Sequence, residues 1–153
     1  MKHITILYPE GQRNLSTIAC IVGAVEVFAR ADDYWQHRGN PKKYQVAVAA
    51  MPTDESYIKG LISLKTDCSL PEIKKTDLII IPSAMPDVPT DVSQSMLDWI
   101  IAQYKTGAEV ASMCSGAFIL ADTGILDGKT CATHWSLANA FRERFPMVNL
   151  QSD

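Results

Sequence analysis

The sequence of 153 residues lacks any apolar run approaching the ~18 residues that a membrane-spanning helix requires. It also lacks a secretion signal, because the short apolar run near the N-terminus is broken by Pro9 and Gly11 and has no small-residue cleavage site. Low-complexity tracts, internal repeats and internal linkers are absent as well. These absences predict one globular domain in the cytoplasm, with no membrane among its partners.

The sequence is also poor in positive charge and in cysteine. Fourteen Lys and Arg residues against seventeen Asp and Glu residues give a net charge of −3. Because non-specific DNA affinity comes from clustered positive charge, we expect no appreciable DNA binding by this chain alone. Four cysteines lie far apart without paired spacing, which predicts free thiols in a reducing compartment. They are Cys20, Cys68, Cys114 and Cys131.

Short β-branched runs alternate along the chain with segments of helical period. Strands are predicted at residues 3–8, 44–50, 78–81, 110–113 and 130–133, with a short hairpin at 56–64. Helices are predicted at residues 15–32, 91–105, 115–123 and 136–144. Asn14 or Ser16 is a candidate cap for the first helix, and Gly107 for the end of the second.

This order of elements predicts an α/β domain with a doubly wound, mostly parallel, flavodoxin-like sheet and helices on both faces. The run of apolar residues 78–81 is typical of a central strand that is covered on both faces. In such sheets, ligands bind at the carboxyl ends of the strands. Residues 147–153 resemble the start of another strand without its covering helix, so we expect a domain that lacks its last elements.

The first candidate for chemistry is Cys114, which lies between a predicted strand and a predicted helix. A nucleophile on such a sharp turn needs small neighbours two positions before and after it, and Ser112 and Gly116 meet this need. Backbone dipoles at the amino end of a helix favour the thiolate, so we expect Cys114 to be the most reactive thiol. The alternative is a buried cysteine that packs under the helix.

His134 follows twenty residues later at the end of a predicted strand, where it is placed to act as a base or ion-pair partner for Cys114. The alternative is a histidine in a surface loop. The spacing of Cys131 and His134 does not favour zinc, because two side chains three apart on a strand point to opposite faces and no second ligand pair is present. For Trp135, packing beside His134 is favoured over substrate contact.

The stretch SMCSGAFILADTGILDGKTCATHW, residues 112–135, resembles the class I glutamine amidotransferase-like, or ThiJ/PfpI, superfamily. Within it, the stretch is most similar to the N-terminal domain of AraC-type transcription regulators. VEVFARA at 25–31 and DLIIIPS at 77–83 extend the resemblance weakly over the chain. The resemblance implies that Cys114 is the elbow cysteine of the family and that His134 is the histidine that follows it.

Two positions depart from the enzymes of the superfamily. Where those enzymes carry a carboxylate on the first helix, this chain has Cys20. Glu26 lies six residues further on and about 120° around the helix, so it cannot replace that acid. Ser83 and Ala84 stand where the family often has Gly-Gly, although Ser83 keeps the N–H that an oxyanion hole needs.

The resemblance implies a ligand-sensing and dimerising domain, with a small-molecule effector and a helix-turn-helix domain that follows C-terminally and alone binds DNA. No cofactor and no metal are expected. The expected ligand-binding residues are Ser83, Ala84, Cys114, Ser115, His134 and Trp135. The alternatives are a cysteine-dependent hydrolase, hydratase or glyoxalase-like enzyme that uses Cys114 and His134, and a redox-responsive protein whose Cys114 is oxidised.

Overall fold

The computed structural model describes residues 1–11, 14–52, 57–58, 62–84 and 92–151. Within these ranges the strands are β1 (Lys2–Leu7), β2 (Tyr44–Ala50), β3 (Tyr57–Ile58), β4 (Ile62–Ser63), β5 (Cys68–Ser69), β6 (Leu78–Ile81), β7 (Glu109–Ser112), β8 (Thr130–Cys131) and β9 (Asn149–Leu150). The helices are α1 (Leu15–Gln36), α2 (Gln94–Lys105), α3 (Gly116–Asp122) and α4 (Ala138–Arg144). No helix in the described ranges is both long enough and apolar enough to cross a bilayer.

Five parallel strands form the main sheet, in the order β5-β2-β1-β6-β7. This confirms the predicted parallel α/β sheet. The strand β6 has the predicted bounds. Its Leu-Ile-Ile-Ile side chains pack into the cores on both faces of the sheet, which is why the run is uninterrupted. The predicted hairpin is confirmed by the antiparallel pair β3–β4, although residues 56 and 59–61 lie outside the described ranges. The final strand, β9, pairs in parallel with β8 and not with the main sheet.

The sheet has a separate apolar core on each face, as a doubly wound fold requires. On one face, Ile18, Ile21 and Ala24 of α1 pack against Ile4 and Ile6 of β1 and their neighbours. On the opposite face, α2, α3 and α4 pack against the other side of β6 and close the larger core. The predicted placement of helices on both faces is therefore confirmed.

The ends of α1 are fixed by side-chain hydrogen bonds. At its start, Asn14 Oδ1 accepts from the Thr17 N–H at 3.0 Å and the Asn14 N–H donates to Thr17 Oγ1 at 3.3 Å, which confirms Asn14 as the cap. The helix runs to Gln36, four residues beyond its predicted end. The buried Asp32 carboxylate accepts from the backbone N–H of Lys43 at 2.6 Å, so the last turn of α1 is joined to the start of β2.

Several predicted boundaries differ from the structure because short-range hydrogen bonds decide them. The helix α2 begins after Ser93, whose Oγ accepts from the Met96 N–H at 3.3 Å, and residue 91 lies outside the described ranges. Gly107 follows its last turn with a φ of 100°, as the predicted cap requires. The predicted helix 136–144 starts as a 3-10 turn, Trp135–Leu137, before α4. The strand β5 was not predicted.

Candidate functional site at the elbow

Cys114 lies on a sharp turn between β7 and α3. Its φ is 55°, and it is the one non-glycine residue in the described ranges with a left-handed backbone. For a residue with a side chain, this conformation costs about 1–2 kcal/mol and persists where the surrounding structure fixes it. The Cys114 side chain is exposed. The alternative of a buried cysteine under the helix is therefore wrong, and the predicted elbow is present.

Gly116 allows the elbow to lie directly against the end of β6. A Cβ at this position would be 2.4 Å from the Pro82 carbonyl oxygen and 2.6 Å from the Ile81 carbonyl oxygen. Both obstacles are backbone atoms that cannot rotate away. The Met113 N–H also donates to the Ile81 carbonyl at 2.9 Å. The turn after β7 is therefore held directly against the end of β6. This close packing is the physical reason why the residue two positions after the cysteine must be small, as the sequence predicts.

Ser115 clamps the loop after β6 to the elbow. Its hydroxyl donates to the Ala84 carbonyl at 2.5 Å and accepts from the Ala84 N–H at 3.1 Å, and it lies 2.9 Å from the Ser83 hydroxyl. Ser83, Ala84 and Ser115 are all buried. These three predicted ligand-binding residues therefore lie beneath the surface, where the two serine hydroxyls contact each other and the Ser115 hydroxyl binds the Ala84 backbone. Their contact with a ligand stays a prediction.

His134 lies in the loop after β8, and not on the strand itself as predicted, because β8 ends three residues earlier at Cys131. The Thr133 hydroxyl donates to the Cys114 carbonyl at 3.2 Å, which joins this loop to the elbow. Sequence reasoning missed Thr133. Its place directly before His134 in the Thr-His-Trp pattern was the available signal, but only the fold brings its hydroxyl to the elbow.

The imidazole of His134 is engaged by its own loop. The Ser136 N–H donates to His134 Nδ1 at 3.3 Å, and the Ser136 hydroxyl lies 2.8 Å from the same nitrogen. When Nδ1 accepts these bonds, the neutral ring carries its proton on Nε2. A neutral His134 then presents an N–H donor, and not a free lone pair, to any group beyond its loop. This geometry favours hydrogen bonding to a ligand over proton abstraction from Cys114.

Trp135 lies beside His134 as predicted, but its side chain is 76% exposed, so the burial expected of a packing residue is absent. Its ring centroid lies 5.6 Å from the His134 ring, at an interplanar angle of 30°. Trp135 is the first residue of the 3-10 turn Trp135–Leu137. An exposed indole is an available surface for an apolar or cationic ligand group.

Glu26 of α1 does not take part in the elbow. Glu26 is exposed and accepts from Arg30 Nε at 2.6 Å, and this ion pair raises the pKa of Arg30. Cys20, where the resemblance implies a carboxylate in the enzymes of the superfamily, is half-buried. Within the described ranges, no group of three His, Cys, Asp or Glu side chains is arranged to hold a metal ion.

The four cysteines are free, and their environments differ. Burial raises the pKa of the Cys131 thiol. Burial also raises the pKa of Cys68, and the nearby carboxylates of Glu72 and Asp67 add to this effect. Cys114 alone among the four is exposed.

Two curated proteins and one solved structure give the comparison with known proteins. The HTH-type transcriptional regulator CdhR of Pseudomonas aeruginosa is 25% identical over 92 residues, which cover 60% of this chain and 27% of CdhR. The isonitrile hydratase of Pseudomonas putida is 29% identical over 75 residues, covering 49% of this chain and 33% of the enzyme. An AraC family transcriptional regulator from Pseudomonas putida shares the fold, with 17% identity, a TM-score of 0.75, and coverage of 100% of this chain and 77% of that structure.

The chain thus spans about a quarter of the length of the curated regulator that it matches. The curated relatives include HTH-type transcription regulators, and a regulator of the AraC family shares the fold. The model of the DJ-1/PfpI family matches residues 21–145, which include both the elbow and His134. The chain belongs to the DJ-1/PfpI family.

Proposed function

We propose that this chain is the ligand-sensing domain of an AraC-type transcription regulator. The observation that carries the proposal is its similarity to a curated HTH-type regulator over 60% of its length. In the proposed arrangement a small-molecule effector binds at the elbow, and two copies of the domain form a dimer whose geometry depends on the effector. A helix-turn-helix domain of a longer protein in the cytoplasm would then contact DNA.

The elbow supports binding better than turnover. A nucleophilic cysteine needs a positioned proton donor or acceptor, which typically contributes ~10²–10⁴-fold to rate. Cys20 replaces the family carboxylate, Glu26 is paired with Arg30, and the Nδ1 atom of His134 is occupied by Ser136. The exposed Cys114 thiol, the Nε2–H of His134 and the Trp135 ring remain as groups for an effector to contact.

The second candidate is a cysteine-dependent hydratase, hydrolase or glyoxalase-like enzyme. Two observations favour it: the exposed thiol of Cys114 on a left-handed turn, and the similarity to an isonitrile hydratase. In this mechanism Cys114 would attack the substrate carbon. The proton transfers would need a group other than Glu26.

Thermal unfolding in the presence of pure metabolites tests the sensing role. Amino acids, short carboxylates and quaternary amines serve as probes, each at several concentrations. One class is expected to raise Tm progressively, because a ligand at 100 times its Kd stabilises the folded state by about 2.7 kcal/mol. The Trp135→Ala variant should lose most of this Tm shift. The control variant Tyr34→Ala, which removes an exposed aromatic side chain on α1, should keep it. A Tm that no class shifts would contradict the proposal.

The proposed dimer has its own test. Sedimentation velocity at ~100 µM should show a dimer, since an interface of ~800 Å² per partner is stable at that concentration. A monomer at this concentration would remove dimerisation from the proposal and leave ligand binding to be decided by the unfolding experiment.

A further inference from the structure

A groove of about 390 Å³ crosses the face of the sheet that points away from α1. Its floor includes His3 of β1 and Gln45 and Ala47 of β2, which alternate with the side chains that face α1. Cys68 of β5 and residues 72–75 complete the lining, and none of the elbow residues takes part. Small-molecule sites usually measure roughly 300–1,000 Å³, so the groove is large enough for a small ligand.

One wall of the groove is fixed by two buried side chains, Thr76 and Gln103. The Thr76 N–H donates to Gln103 Oε1 at 3.1 Å, and Gln103 Nε2 donates to the Ile73 carbonyl at 3.3 Å. The Thr76 hydroxyl accepts from Thr5 Oγ1 and donates to the His3 carbonyl, both at 3.0 Å. Because a satisfied buried network is rigid, the groove exists without a ligand, and little ordering is needed to fill it.

The charge of the groove is opposite in sign to that of the chain. Lys74 and Lys75 belong to the lining and His3 lies at the amino end of β1, whereas the chain as a whole carries −3. The carboxylate of Glu72 accepts from the Ser69 N–H at 2.7 Å and from the Ser69 hydroxyl at 2.6 Å, and these bonds lower the pKa of Glu72. Among the lining side chains two ammonium groups therefore outnumber one carboxylate, and this excess of positive charge favours an anion. The Asp67 carboxylate lies outside the lining.

The thiol of Cys68 adds no charge to the groove. Its pKa is raised by burial and by the carboxylates of Glu72 and Asp67, so the thiol is protonated at neutral pH. A neutral thiol does not repel an anion. It also provides a chemical reporter, because a ligand that lies against Cys68 shields it from alkylation.

We propose that this groove binds a small organic anion, a carboxylate or a phosphate monoester, with its charged end at Lys74 and Lys75 and its apolar body over Ala47 and Ile73. The site is separate from Cys114 and does not depend on the proposed regulator function. Carboxylates and phosphates share the negative charge and the acceptor oxygens that ammonium groups recognise.

Protection of Cys68 from iodoacetamide tests the proposal directly. The full chain is alkylated in butyrate, in butyl phosphate or in chloride of equal ionic strength, and mass spectrometry gives the rate at each cysteine. An anion at ten times its Kd is expected to slow Cys68 about tenfold, because only the free site reacts. Cys131, which lies outside the groove, serves as the internal reference and should keep its rate. Protection by one probe alone identifies the headgroup, and protection by both supports the shared chemistry.

Two matched lysine pairs provide the control. The double variant Lys74→Gln/Lys75→Gln should lose the protection, whereas Lys42→Gln/Lys43→Gln, also adjacent lysines but outside the groove, should keep it. Where Cys68 reacts too slowly to follow, the NMR signal of the His3 ring is titrated with the same probes and variants. Equal loss in both variants, equal slowing of Cys131, or no saturating response well above millimolar anion would overturn the proposal.

Discussion

Two loops meet at Cys114, and the structure holds them very differently. The elbow is fixed from below by the hydroxyl of Ser115, which binds the Ala84 backbone through two hydrogen bonds, and by backbone contact at Gly116. Within the described ranges, the loop that carries His134 is joined to the elbow by the Thr133 hydroxyl and bonded locally through Ser136. The thiol is thus held rigidly, whereas its expected partner is not.

This difference matters because catalysis and sensing need different degrees of precision. A catalytic pair must be held within about 0.5 Å of its productive geometry by surrounding contacts. A binding site needs one fixed wall and tolerates a second wall that adjusts to the ligand. The fixed elbow and the lightly attached His134 loop match the second requirement.

The largest expected effect comes from adding one methyl group at the rigid loop. Gly116→Ala places a Cβ 2.4 Å from the Pro82 carbonyl oxygen and should destabilise the fold by about 3 kcal/mol, measured by urea unfolding. Gly23→Ala is the matched control. Apart from the adjacent backbone of its own helix, no atom of the described residues lies within 4 Å of its added Cβ, and an alanine within α1 should stabilise the protein by about 0.5–1 kcal/mol. If the two substitutions changed the unfolding free energy by similar amounts, the backbone contact at Gly116 would not be what fixes the elbow.

The serines of the two loops give the next largest contrast. Ser115→Ala leaves the buried Ala84 backbone groups without their partner, and should cost about 1–3 kcal/mol of unfolding free energy. Ser136→Ala, at an exposed position, should change stability by less than about 0.5 kcal/mol. If Ser136→Ala were as costly as Ser115→Ala, the His134 loop would be as firmly held as the elbow.

Thiol reactivity separates the elbow from the remaining chain. At pH 7 Cys114 should react with iodoacetamide about tenfold faster than Cys68 or Cys131, because it is exposed while burial raises the pKa of the other two thiols. Peptide mass spectrometry at timed intervals gives the three rates. Faster labelling of Cys68 than of Cys114 would contradict the exposed elbow.

The smallest effect concerns pH. The backbone N–H of His3 donates to the Asp77 carboxylate at 2.8 Å and is the main cause of the lowered pKa of Asp77. The pKa is lower in the folded state, so this stabilisation is present above about pH 4 and is lost as the pH falls through the folded-state value. The urea concentration at the unfolding midpoint should therefore decrease when the pH is lowered below about 4. This decrease should be smaller in the Asp77→Asn variant. The hydrogen bonds of the Ser115 hydroxyl involve no ionisable group. The urea midpoint of Ser115→Ala should therefore change with pH by the same amount as that of the unaltered chain.

The sequence predicts what depends on local pattern. The apolar run of β6 and the cap at Asn14 have signals in consecutive residues, and both were located correctly. The strand β5 has no such signal, because only two of its residues pair with β2. Their position is fixed by the Asp67 carboxylate, which accepts from the Val48 N–H at 2.8 Å.

The elbow itself was predictable from small residues around one cysteine, but its clamp was not. Ser115 and Ala84 are 31 positions apart, and their hydrogen bonds exist only after β6 and β7 pair. The exposure of Trp135 depends in the same way on which elements fail to cover it. Long-range contacts of this kind leave no mark on the local sequence.

The most direct test of the central claim is the turnover number of the unaltered chain. The rates of isocyanide hydration, amide hydrolysis and glyoxal conversion are measured with the unaltered chain, Cys20→Asp and Cys114→Ser. A sensing elbow predicts no turnover above the Cys114→Ser background in the unaltered chain, because Cys20 is not an acid and the Glu26 carboxylate is paired with Arg30. Turnover near ~10 s⁻¹, the ordinary median for enzymes, that is abolished by Cys114→Ser would contradict the sensing function and establish the cysteine-dependent enzyme in its place.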